Sequence, residues 1–161
     1  MKINTNILKS RLLLRNLLGI LFLLAVINPI VAQEVDKEKL KELKEAQESL
    51  SNASYEMAKD NFTVAEAEYR EAISLNPKED TGKYNLGTAY YNKEMNDVAM
   101  SRFKQAAAVA DTKADKHKAF HNLGNTYMNE KKYQEAVESF KNALRNNPKD
   151  VETRYNYALA K

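Results

Sequence analysis

A chain of 161 residues with four Gly, three Pro and no Cys or Trp is one domain long. It is too poor in turn residues for a β-sandwich or barrel, so an all-α fold is expected; without Cys it has no disulfide framework, thiolate zinc site, thiol nucleophile or lipidated cysteine. The formal charge of +3 arises at one end, where Lys2, Lys9, Arg11 and Arg15 precede any acid and leave 21 bases against all 22 acids in the rest, so the near-neutral body offers no clustered basic face for nucleic acid.

The basic start runs into an unbroken apolar stretch, Leu17 to Ile27, ended by Asn28-Pro29 and followed by Ile30-Val31-Ala32. Residues 1–32 thus have the order of an export signal: a charged start, a short apolar core and a small residue at a cut site after Ala32. Eleven residues rise about 16 Å as a helix, short of a hydrocarbon core of about 30 Å. An uncleaved anchor is the rival reading, since Leu12, Leu13 and Leu14 lengthen the stretch, with Arg15 and Asn16 interrupting it. The first reading predicts a periplasmic protein, the second an inner-membrane anchored one facing the periplasm. In the second, this segment alone touches the membrane. A Cys-free exported chain fits a bacterial envelope.

Residues 33–45 form a charged lead-in. Leu40, Leu43 and Leu50, with Ala46 between them, fall at helical spacing among charges of both signs, which predicts a surface helix with one narrow apolar stripe. Sustained heptads for a coiled-coil seam are missing.

Beyond this point the chain repeats itself. Tyr84-Asn85-Leu86-Gly87-Thr88-Ala89-Tyr90 returns 37 residues later as His121-Asn122-Leu123-Gly124-Asn125-Thr126-Tyr127. Ala99, Phe103 and Ala106 return as Ala136, Phe140 and Ala143, and a shift of 34 the other way reaches Ala65, Tyr69 and Ala72. The rare residues fall in register too: Gly87 with Gly124, and Pro77 with Pro148. Three units follow, 46–79, 80–116 and 117–150, and residues 151–161 begin the pattern again at Tyr155-Asn156-Tyr157-Ala158. That last piece is either a capping helix or the start of a repeat cut mid-protein. Three extra residues around Ala107–Asp115 predict a lengthened helix or loop in the second unit.

The unit Phe120-x2-Leu123-Gly124-x2-Tyr127, then Ala136, Phe140, Ala143 and Pro148, resembles the tetratricopeptide repeat (TPR) at each signature slot, with Phe for the usual Trp. The second unit departs from it at Lys83 and Asp111. The first departs in its first helix, where Asn52 stands for Leu and Glu56 for Tyr, as terminal repeats often do. The resemblance implies an α-solenoid of stacked antiparallel helix pairs. Small residues at Gly87, Gly124, Ala65, Ala99 and Ala136 let the helices approach, and neighbours must stack to bury each pair. Within the TPR proteins, KAFHNLGNTYM (Lys118–Met128) and NALRNNPKDVETRYNYALAK (Asn142–Lys161), with the exported start, are most similar to the TPR component of bacterial aerotolerance (Bat) operons. That resemblance implies an envelope protein working beside membrane proteins with von Willebrand-type domains and a MoxR-type ATPase.

Sites for chemistry are few. His117 and His121 stand four apart, a spacing that can hold zinc, but no third ligand accompanies them. No Gly-rich phosphate loop or buried carboxylate pair is evident, so neither catalysis, metal, cofactor nor small-molecule substrate is expected. The first helices of TPR units line a concave face where partner peptides lie. Its expected residues here are Tyr84, Asn85, Thr88, Tyr91 and Asn92, then His121, Asn122, Asn125, Met128 and Asn129, then Tyr155 and Asn156. Asn can pair with both groups of an extended backbone, while Tyr and Met supply apolar contact; the alternative is that these Asn bond locally. A carboxylate clamp of the chaperone-tail kind is disfavoured: Leu50, Ser54 and Asn122 replace its required side chains, and only Asn85 and Lys118 agree. The expected role is a non-enzymatic scaffold for a protein or peptide partner, the alternatives being a self-associating structural module or a membrane-anchored assembly factor.

Overall fold

The computed structural model describes residues 34–161; residues 1–32, read above as an export signal or an anchor, lie outside them. Contacts divide the chain into two units, Met1–Glu42 and Leu43–Lys161. Of the first, residues 34–42 are helical and largely exposed, with Lys39 paired to Glu42 at 2.9 Å. Among the described residues no helix is long and apolar enough to cross a membrane.

The second unit is a run of helices without a strand: α1 (residues 43–58), then α2 (Phe62–Leu75), α3 (Thr81–Asn92), α4 (Asn96–Val109), α5 (Lys113–Asn129), α6 (Tyr133–Asn146) and α7 (Val151–Ala160). The expected stripe is only partly inward: Ala46 and Leu50 are buried, while Leu40 and Leu43 are exposed. The repeat is visible in the backbone. Three second helices, α2, α4 and α6, have 14 residues each. The turn before each passes through a left-handed residue, Asp60, Glu94 or Lys131, with φ of 57°, 60° and 57°. None of the three is Gly, so each turn holds a costly conformation that the packing of its hairpin must outweigh. The three extra residues lengthen a helix: α5 runs 17 residues against 12 in α3, and its added first turn is capped by Thr112 Oγ1, which accepts from the Asp115 N–H at 3.0 Å.

Each hairpin closes on an aromatic ring set against a small residue. A methyl added at Gly124 would stand 2.5 Å from the Phe140 ring, and one at Gly87 2.9 Å from Phe103, closer than real carbons approach. Phe103, Phe140, Ala65, Ala99 and Ala136 are fully buried. In the first repeat Ala53 fills the Gly slot, also fully buried. The degenerate α1 has a physical reason. In α3 the Tyr slot, Tyr90, meets the second helix of the preceding repeat, through Phe62 at 5.8 Å between ring centres. In α1 the matching residue is Glu56, whose carboxylate accepts from Asn61 Nδ2 at 2.8 Å, and Asn52 is exposed.

The junction of the first two repeats carries a polar triad. Glu66 Oε1 accepts from the Tyr90 hydroxyl at 2.5 Å and from Arg70 Nε and Nη2 at 3.0 and 2.9 Å, and Arg70 Nη2 also donates to the Tyr90 oxygen at 2.8 Å. The Tyr90 hydrogen bond, aided by Arg70 and opposed by partial burial, lowers the Glu66 pKa from its ordinary 4.5. A carboxyl whose pKa is depressed by folding contributes stability above its unfolded value and loses it as pH falls through the folded one. The stability difference between wild type and Glu66→Gln is therefore expected to be full at neutral pH and to vanish below the ordinary carboxylate range. Urea titrations at a series of pH values measure it; a pH-independent difference would contradict the triad.

Candidate functional site

The first helices α1, α3, α5 and α7 follow one another along one face of the stack, and the residues expected there divide into two groups. Asn85, Thr88 and Asn92 line a hollow of about 250 Å³ together with Ser54, Met57 and Tyr69. No side chain among the described residues bonds to the Asn85 or Asn92 amides. Thr88 Oγ1 donates to the Tyr84 carbonyl at 3.1 Å, as helical Thr commonly does. Met57, Tyr84 and Tyr91 are half-buried against the core, and the Tyr84 ring tilts onto Phe103 at 5.9 Å. The hollow is smaller than the roughly 300–1,000 Å³ of small-molecule sites and has no charged side chain in its lining.

The second group is bonded to itself. Asn122 Nδ2 donates to the Tyr84 hydroxyl at 3.0 Å, joining α5 to α3. Asn156 Nδ2 donates to Asn125 Oδ1 at 3.0 Å, and Asn125 Nδ2 to His121 Nε2 at 3.0 Å. His121 Nδ1 lies 2.7 Å from Thr153 Oγ1, and its Nε2 also stands 3.4 Å from Glu152. These bonds dock α7 onto α5. Of the remaining expected residues, Met128 packs on the core, Asn129 is exposed and Tyr155 is 68% exposed.

His117 and His121 are likewise structural. His117 Nδ1 donates to the Ala143 carbonyl at 3.1 Å, and its Nε2 stands 3.5 Å from Asp150, the N-cap of α7, whose carboxylate accepts from the Thr153 N–H at 2.6 Å. That backbone bond, with help from the two histidines, holds the Asp150 pKa below its ordinary value. The Thr153 hydroxyl beside His121 is fully buried, which closes it to a substrate. Among the described residues no three His, Asp or Glu gather as metal ligands.

At the mouth of the face, Asp80, Thr81, Tyr84, Asn85, Asp115 and Lys118 enclose a further 160 Å³. Burial, then the nearby Asp115, raises the Asp80 pKa, while Asp115 is held low by Thr112 and Lys118. Ser54, Met57 and Tyr69 were not among the expected residues. A shift of 34 carries Ser54 to Thr88 and Met57 to Tyr91, so the repeat itself held that signal.

Two family profiles, both described as tetratricopeptide repeat, match residues 50–115 and 117–150. The fold is similar to the N-terminal domain of stress-induced protein-1 from C. elegans, with TM-score 0.69, 21% identity, 74% of this chain and 96% of that one covered. It is also similar to the second TPR domain of human RPAP3, solved with an HSP70 peptide (TM-score 0.67, 17% identity, 74% and 97% covered). A third likeness is to pilF of Pseudomonas aeruginosa (TM-score 0.65, 23% identity, 71% and 51% covered). At these identities the likeness speaks for the fold alone. No curated protein sequence matches the chain.

Proposed function

We propose, from the premise that this chain is a tetratricopeptide repeat protein, that it is a non-enzymatic scaffold binding a partner peptide or protein on the face built by α1, α3, α5 and α7. The observation that carries this reading is the hollow at Ser54, Met57, Tyr69, Asn85, Thr88 and Asn92, whose free amides and apolar floor suit an extended, uncharged segment. The peptide seated on the RPAP3 domain supports the mode of binding, not the identity of the ligand. The reading extends to the bacterial envelope, where the charge and apolar order of residues 1–32 support export. The Bat-like wording of Lys118–Met128 and Asn142–Lys161 supports a partner among membrane proteins with von Willebrand-type domains, in an aerotolerance complex.

A photo-crosslinking residue at Asn92 is expected to capture the partner in the native envelope, and one at Glu71, exposed on α2, is not. Asn85→Ala with Thr88→Ala is expected to lower that capture about tenfold or more, the worth of one or two lost hydrogen bonds. Capture unchanged by the double substitution would remove the face from the proposal. Capture of a protein without a von Willebrand-type domain would remove the Bat context and leave the face standing.

A further inference from the structure

The three second helices place an aromatic ring in one slot, and the first repeat alone adds a hydroxyl to it. A shift of 34 carries Tyr69 of α2 to Phe103, and a further 37 reaches Phe140. The hairpin contact needs only the ring: Phe103 and Phe140 are fully buried and meet Gly87 and Gly124 without a polar atom. Packing therefore gives no account of the Tyr69 oxygen, which lies on a residue only 4% exposed, where an unpaired polar atom is costly. Its contact among the described residues is with Ser54 Oγ at 3.4 Å, well beyond the length of about 2.7–2.8 Å usual between two hydroxyls. Tyr69 and Ser54 both line the hollow of about 250 Å³ that also holds Asn85, Thr88 and Asn92.

The other two hydroxyls of the hollow spend their protons on the backbone. Ser54 Oγ donates to the Leu50 carbonyl at 2.9 Å, and Thr88 Oγ1 to the Tyr84 carbonyl at 3.1 Å. A hydroxyl has one proton, so both offer the hollow lone pairs alone, and the Tyr69 proton is the one left to point at Ser54. Three neutral oxygens thus stand as acceptors beside the Asn85 and Asn92 amides, which can both donate and accept. No acid or base lines the hollow. An ammonium or a carboxylate would enter it without a counter-charge, an aliphatic side chain would leave the oxygens unpaired, and a hydroxyl brings a single proton. A carboxamide brings two N–H donors and a carbonyl. We propose that this hollow is a pocket for a carboxamide side chain, glutamine or asparagine, of the partner peptide, and that the Tyr69 hydroxyl determines its specificity. The carboxamide N–H groups donate to the Tyr69 and Thr88 oxygens, and its carbonyl accepts from an Asn amide. The pocket belongs to the binding face proposed above and rests on that reading.

An NMR titration of the full chain tests this, with the blocked tripeptide Leu-Gln-Leu and its Leu-Met-Leu, Leu-Glu-Leu and Leu-Ser-Leu counterparts as probes. The Gln peptide is expected to shift the Asn85, Thr88 and Asn92 signals saturably, about tenfold more tightly than the other three, the worth of one or two hydrogen bonds. Tyr69→Phe is expected to keep the wild-type Tm, since the same slot holds Phe in the next two repeats. It is expected to weaken the Gln peptide about fivefold and to leave the Met peptide unchanged. Ser54→Ala, at an exposed position, is expected to weaken the Gln peptide likewise and serves should the first variant not fold. No saturable shift with the Gln peptide, equal binding of the Met or Glu peptide, or a preference for Gln that is intact in Tyr69→Phe overturns the pocket. A Ser peptide that binds as tightly as the Gln peptide overturns the assignment to a carboxamide. None of these results touches the binding face as such, which stands or falls with the capture at Asn92.

Discussion

Phe140→Ala is expected to destabilise the third repeat by about 3–5 kcal/mol, the upper range for removing a buried aromatic ring. The ring is fully buried, and its edge meets the backbone at Gly124, with no Cβ between them. It also touches His121, at 6.0 Å between ring centres, so it supports the helix that anchors α7. The cavity left behind is hard to close, since α5 and α6 are already at the shortest approach that Gly124 permits. In a stack whose units contact only their neighbours, such damage stays local. Urea unfolding followed by circular dichroism is therefore expected to split, with α5 to α7 melting before α1 to α4. The converse change, Gly124→Ala, overpacks the same contact and is expected to cost about 1–3 kcal/mol. Combining it with Phe140→Leu should cost less than the sum of the two, because the residues share one contact. A loss below about 1 kcal/mol for Phe140→Ala, or strict additivity of the pair, would mean that the ring and the glycine do not define the hairpin.

This hairpin is the part of the fold that the sequence states most openly. Gly87, Gly124, Phe103 and Phe140 recur in register because the contact they make is internal to one repeat and indifferent to its neighbours. The binding face is less open to reading, for a physical reason. Helical spacing places Asn85, Asn122 and Asn156 on one face but says nothing of what the next helix presents to each. Asn122 finds the Tyr84 hydroxyl and Asn156 finds Asn125; Asn85 looks back toward α1, where Leu50 occupies the Tyr84 slot and offers no oxygen. One amide stays free and two become struts. The degenerate α1 is a similar case: Glu56 departs from the pattern because its slot does not carry the aromatic contact that Tyr90 makes with Phe62, and Asn52, in the Leu slot, is exposed. Lys83 departs for a different reason, and its effect can be measured.

Lys83→Met is expected to destabilise the second repeat by about 1–3 kcal/mol, although the slot is one that the third repeat fills with Phe120. Lys83 is buried, and its ammonium donates to the carbonyls of Pro77 and Glu79, at 2.7 Å each. Those carbonyls belong to the turn that Pro77 imposes between α2 and α3, where no helix supplies an N–H for them. The same turn is held from the other side: the Glu79 carboxylate accepts from the Thr81 and Gly82 N–H groups at 2.8 and 2.9 Å, so the turn caps α3 while the lysine caps the turn. Burial pushes the Lys83 pKa down, opposed by Glu79 and Asp80, so the ammonium is held against a desolvation cost. Met keeps the packing of the long stem and removes that cost, but it leaves two carbonyls facing an apolar slot, at about 1–3 kcal/mol for a buried unsatisfied group. The loss is expected to exceed the gain. Lys83→Phe, which restores the aromatic of the repeat pattern, is expected to be no better, because a ring cannot donate to either oxygen. Thermal unfolding of the three proteins side by side decides the point. If Lys83→Phe proves more stable than wild type, the lysine is a poor substitute for an aromatic residue and the turn stands without it.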